Sequence, residues 1–176
     1  MQKPERQVGE VQYGYAYLDD SETMVRIKDI DRAFCNHHTF RCPDCRGEMY
    51  ATFGAVQVDH FRHNGGKCDY NNYLHTVSER VFMEEYLLCL EKGIPFIIDM
   101  MLPVVCNPVC VKFQQPCGKK YIHKKIDLTE KYTKVSLERR VEVSDERFRR
   151  PDILLESEDG EQLWVEIWVR HETSEE

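Results

Sequence analysis

Cys42-Pro43-Asp44-Cys45-Arg46-Gly47 sets two thiols two residues apart, followed by a glycine that lets the backbone fold back. Both sulfurs can then point at one centre, the arrangement of a zinc knuckle. Downstream, Met49 to Phe53 and Ala55 to Phe61 flank Gly54 and read as a short hairpin, which would return the chain to the same centre at His60-Phe61-Arg62-His63. Cys68 stands five residues further on. The ligand set expected is Cys42, Cys45, His63 and Cys68, with His60 as a competing imidazole, because His60 and His63 would face opposite sides of a strand. Cys35, near His37 and His38, is a weaker alternative. Redox pairs share the two-residue spacing, but such a pair starts a helix after a buried strand, and here a hairpin follows.

A second group is Cys106, Cys110 and Cys117, set among Pro108, Pro116 and Gly118, with His123 close behind. It reads as a second zinc loop, against the plainer reading of free thiols in a surface loop. Lys119, Lys120, Lys124 and Lys125 surround it and would either meet phosphate or simply form a solvated face. Cys89, in the run Tyr86-Leu87-Leu88-Cys89-Leu90, reads as a small buried hydrophobe.

Carboxylates supply the other candidate chemistry. Asp152 opens the apolar run Ile153-Leu154-Leu155, a turn follows at Ser157 to Gly160, and Leu163 to Val169 reads as the returning strand of a hairpin. Glu166 sits within that second run, between Val165 and Ile167, where a carboxylate needs a partner or a metal. Asp152 and Glu166 on neighbouring strands would hold a divalent cation, and magnesium or manganese suits oxygen ligands that leave waters for a substrate phosphate. The competing reading is an edge strand whose Glu166 faces water and pairs with Arg170. On the preceding helix His75 and Glu79 lie one turn apart, a pattern that alone suits an ordinary surface pair.

These residues need elements to position them. One helix is clear: Leu74, Val77, Val81, Phe82, Tyr86 and Leu90 recur at three- and four-residue steps, Asn71 or Asn72 can cap the start, and Gly93 closes the end. Ile94 to Cys106 reads as a buried strand with an irregular end, and Leu128 to Val143 as a strand, or a helix and a strand. Arg139, Arg140, Arg147, Arg149 and Arg150 form the most basic stretch, interleaved with Glu138, Glu142, Asp145 and Glu146. The division expected is 1–70 for N-terminal strands and a zinc-ribbon module, and 71–176 for an α/β core with a Cys-rich insertion at 106–123.

Composition bounds the function. The chain has 176 residues, 41% of them apolar, with a net charge of −7, so any grip on nucleic acid must come from a local patch. Met1 to Glu10 lacks the basic start and apolar core of a secretion signal, and no apolar run nears the roughly 20 residues of a membrane span. A soluble cytoplasmic protein with no membrane partner is expected, and eight cysteines in a reducing compartment again favour metal over disulfides.

The order of motifs resembles a known family. The knuckle, His60-Phe61-Arg62-His63, the helix with His75 and Glu79, then Arg150-Pro151-Asp152-Ile153-Leu154-Leu155-Glu156 and Val165-Glu166-Ile167-Trp168-Val169-Arg170-His171 look like the competence protein CoiA group, nuclease-like proteins of the PD-(D/E)xK superfamily. The resemblance runs from about Tyr15 to Glu172. It implies a restriction-endonuclease core, a mixed sheet flanked by helices, with Asp152 and Glu166 as metal-binding acids and Glu79 as the helix acid that completes the site. It also implies nucleic acid, DNA foremost, as partner. The superfamily's lysine is replaced by Trp168, so Arg170 or His171 would have to supply the positive charge, and an arginine does not serve as a base near neutral pH. A zinc module that binds a protein or DNA without catalysis is the alternative.

Overall fold

A computed structural model describes residues 13–54, 58–65, 68–103, 121–144 and 147–169. The class is mixed α/β, mostly strands, and every strand pairing among the described residues is antiparallel. Described residues up to Arg80, with those from Ile167, form one compact unit, and Val81–Glu166 form the other.

The first unit is built on a five-stranded sheet in the order β2-β1-β3-β4-β5. Its strands are β1 (Tyr15–Leu18), β2 (Met24–Arg26), β3 (Phe40–Arg41), β4 (Glu48–Thr52) and β5 (His60–His63). A 3-10 turn (Ile27–Asp29) and the short helix α1 (Arg32–Cys35) lie between β2 and β3. Ala16, Tyr17, Ile27, Phe40, Met49, Phe61 and Tyr73 make its apolar core. Tyr73 comes from helix α2 (Tyr70–Lys92) and is fastened to β1, where its hydroxyl accepts from Tyr15 N at 2.9 Å and donates to Tyr15 O at 3.0 Å. A hydroxyl so satisfied offsets its own desolvation and ties the helix start to the sheet. The helix cap is Asp69, not Asn71 or Asn72: its Oδ1 accepts from Asn71 N (2.8 Å) and Asn72 N (3.3 Å). A carboxylate does this better than an amide, since its charge also complements the helix N-terminus. Gly93 ends α2 as expected, with φ of 62°.

The second unit holds the remainder of α2 and β6 (Ile97–Pro103), β7 (Tyr121–Asp127), β8 (Tyr132–Leu137), β9 (Val141–Ser144), β10 (Arg147–Arg149), β11 (Ile153–Ser157) and β12 (Gln162–Val165). Among the described residues these form three small sheets: β12-β11-β8, β6-β7 and β9-β10. Ile153, Leu154 and Leu155 are fully buried on the central strand β11, which explains their unbroken apolar run. Tyr86 sits beside Phe82 and Phe96, and its hydroxyl reaches Leu128 O and Tyr132 O. The expected buried strand after Gly93 is a strand, but an exposed one: Ile97 and Met101 stand open on the two-stranded β6-β7 ribbon.

Candidate metal centre

The loop Cys42 to Gly47 closes on itself, with Cys42 N donating to Gly47 O at 2.8 Å and Arg46 N to Cys42 O at 3.0 Å. The left-handed backbone falls on Arg46 (φ 58°), not on Gly47. Gly47 is needed for room: a β-carbon there would lie 3.2 Å from the Cys45 sulfur. Arg46 is held by its side chain, 4.3 Å over the Tyr17 ring and 2.8 Å from Glu22, which also lies 3.3 Å from Arg80 of α2.

The β4-β5 hairpin supplies the imidazole. Its register sets Met49 against His63 and Thr52 against His60. His63 joins the cysteines, whereas His60 turns away and donates through Nδ1 to Val58 O at 2.8 Å. The alternation of a strand makes this choice, because the two histidines are an odd number of residues apart. Cys68, at the foot of α2, completes the group. Ligand atoms of Cys42, Cys45, His63 and Cys68 all lie within 4.8 Å of one another and could hold a metal ion.

The chemistry of the cluster is compatible with a cation. Burial foremost pushes the Cys42 thiol up, and burial with the neighbouring Cys42 and Cys45 does the same to Cys68, so negative charge on the sulfurs is disfavoured without a positive partner. Burial pulls His63 down, which favours the neutral imidazole. His63 Nε2 is buried and lacks a hydrogen-bond partner among the described residues. Tyr13 packs edge-on against His63, with ring centroids 5.1 Å apart, and also contacts Tyr70 and Tyr73. Neither Tyr13 nor the Glu22-Arg46-Arg80 tether was foreseeable, since no spacing rule links them to the thiols.

Cys106, Cys110 and Cys117 lie outside the described residues, as do Arg170 and His171. His123 is exposed on β7 with Nδ1 3.1 Å from Asp99. Cys35 is half-buried in α1 and is not part of the group that could hold a metal ion. On α2, His75 Nδ1 lies 3.4 Å from Glu79 Oε1, and Glu79 is buried, which corrects the reading of this pair as ordinary surface. Asp152 directly precedes β11 and is half-buried. Glu166 does not lie inside a strand: β12 ends at Val165, and Glu166 is exposed one residue beyond it. Trp168 is 85% exposed.

Compared with family models, curated proteins and solved structures, the chain matches none. No helix among the described residues is long and apolar enough to cross a membrane.

Proposed function

We propose that the chain is a zinc-containing, nuclease-like protein of the cytoplasm that binds nucleic acid, DNA by preference, and uses Asp152 and Glu166 to hold magnesium or manganese. The observation that carries the zinc reading is the 3.7 Å between the sulfurs of Cys42 and Cys68. Zinc–sulfur bonds of 2.3 Å in a tetrahedron place neighbouring sulfurs about 3.8 Å apart. Three thiols and an imidazole suit a borderline-soft ion and leave no position open, so this zinc is structural.

The nuclease reading is supported by where the two acids stand. The last bonded pair of the β11-β12 ladder is Ile153 with Val165, and Asp152 and Glu166 are the next residues of each chain at that end. Both are oxygen donors, and Glu166 is open to an incoming substrate. When bound, a divalent ion would there supply a water of lowered pKa and charge for the phosphate. The resemblance to the CoiA-like group adds a restriction-endonuclease-type core around these acids and a zinc ribbon in front of it.

A second reading, a zinc module that binds without cleaving, is favoured by Trp168, which offers neither base nor charge where the superfamily has lysine. Cleavage assays decide between them. Magnesium- or manganese-dependent cleavage of DNA that vanishes in both Asp152→Ala and Glu166→Ala supports the enzyme. Binding without cleavage under either metal, unchanged in both variants, supports the module. Elemental analysis tests zinc separately, and less than one zinc per chain removes it.

A further inference from the structure

The segment between β8 and β11 leaves its sheet and returns as a clasped arm. Glu138 turns the chain outward with φ of 44°, and its N–H donates to Asp152 O at 2.9 Å, closing the base. Arg150 reinforces that base, with Nε donating to Glu138 O at 2.8 Å and its guanidinium paired to the Glu138 carboxylate. Arg139 is paired to Glu156 of β11. Beyond the clasp, β9 and β10 pair only with each other among the described residues. A two-stranded ribbon gains little from its own pairing, so its exposed side chains stand out against a thin scaffold.

What the arm presents is specific. Phe148 is 45% exposed, and the Arg140 guanidinium lies 3.7 Å from its ring centroid. Arg149 is exposed and makes no ion pair among the described residues. Glu142, opposite Phe148, is the nearest acid in the register. Two arginines and an aromatic ring, in a chain of net charge −7, form a local cationic stacking surface. Unpaired bases stack on aromatic rings and on guanidinium planes, and the bases of a duplex are not available to do so.

We infer that the β9-β10 arm is a docking surface for single-stranded nucleic acid, in which Phe148 and Arg140 stack a base and Arg149 meets a phosphate. The arm is clasped to Asp152, so a strand held there is led to the acid assigned above. This inference rests on the nucleic-acid reading of the preceding section.

The test is fluorescence anisotropy of the full zinc-loaded chain with a labelled 20-residue oligothymidylate and with a duplex of equal length, over a range of salt. The single strand should bind more tightly than the duplex. Phe148→Ala should weaken single-strand binding by about tenfold with the salt slope unchanged, and Phe148→Trp should restore it. Arg149→Gln should lower the slope of log affinity against log salt by about 0.7. These residues are exposed, and a folding defect would not separate affinity from salt slope. Wild-type affinity and slope in both Phe148→Ala and Arg149→Gln would overturn the arm while leaving the nucleic-acid reading intact. Failure of the wild-type chain to bind either probe overturns both. Tighter binding to the duplex overturns the single-strand assignment.

Discussion

The sulfurs of Cys42 and Cys68 lie 3.7 Å apart although 26 residues separate them in the chain. That distance is far beyond the roughly 2.05 Å of a disulfide, and it joins the start of the knuckle to the foot of α2. The first unit has small strands, one of two residues and another of three, so a metal clamp here would add a large share of its stability. Cys68→Ser should therefore release zinc and lower the melting temperature of the first unit by at least ~10 °C. Thermal melts with and without chelator measure this, and a Cys68→Ser protein that keeps both zinc and melting temperature would sink the clamp.

The two histidines of β5 should behave oppositely. His63 belongs to the cluster, while His60 spends its Nδ1–H on Val58 O. His63→Ala should lose zinc on dialysis, and His60→Ala should retain it. The reverse pattern would show that β5 is one residue out of register, since a single slip exchanges its faces.

Gly47→Ala tests the close approach rather than the backbone, because the left-handed residue is Arg46. The added methyl would press on the Cys45 sulfur at 3.2 Å. A sulfur fixed by a metal has little freedom to yield, so zinc affinity in a chelator competition should fall by about tenfold or more. Unchanged affinity would mean that the Cys45 thiol is not held.

Much of this centre is legible in the residues alone. The spacing of Cys42 and Cys45 is local chemistry, and the period of two in β5 confines the imidazole to one of two choices. Which one is chosen depends on the pairing of Met49 with His63, a long-range fact that no local pattern carries. The helix stripe similarly foretells buried Val77 and Tyr86, and Leu87 and Leu88, which lie off it, are exposed. Glu166 misleads because apolar neighbours on both sides resemble a strand interior, whereas the hydrogen-bonded ladder ends one residue earlier at Val165. Strand ends are set by what pairs alongside, and the sequence of one strand does not contain its neighbour.

The β11-β12 turn carries an acid-sensitive contact. The buried Ser157 hydroxyl accepts from Glu161 N at 2.8 Å and lies against Asp159 Oδ1, and this hydrogen bond holds the Asp159 carboxyl below its ordinary value. A group depressed in the folded state stabilises it above the unfolded value, about pH 4, and loses that contribution as pH falls through the lowered folded value. The stability advantage of the wild-type chain over Asp159→Asn should thus be present at pH 7 and shrink below about pH 4. Urea unfolding at both pH values measures it, and a difference that grows on acidification would contradict the sign.

Tyr86 gives the sharpest test of the second unit. Its side chain is fully buried, and the hydroxyl lies 2.8 Å from Tyr132 O and 3.1 Å from Leu128 O, joining α2 to the turn that leads into β8. Burial pushes its pKa up to about 12, so the proton stays on the oxygen as a donor across the working pH range. Tyr86→Phe removes the donor and leaves the ring contacts with Phe82 and Phe96 in place. Leu128 O still accepts from Lys131 N and Tyr132 N, so the main loss is at Tyr132 O. One buried acceptor left short costs about 1–3 kcal/mol, which denaturant unfolding resolves as a lower midpoint at constant slope. A midpoint unmoved by Tyr86→Phe would show that this hydroxyl does not fasten the helix to the β8 turn.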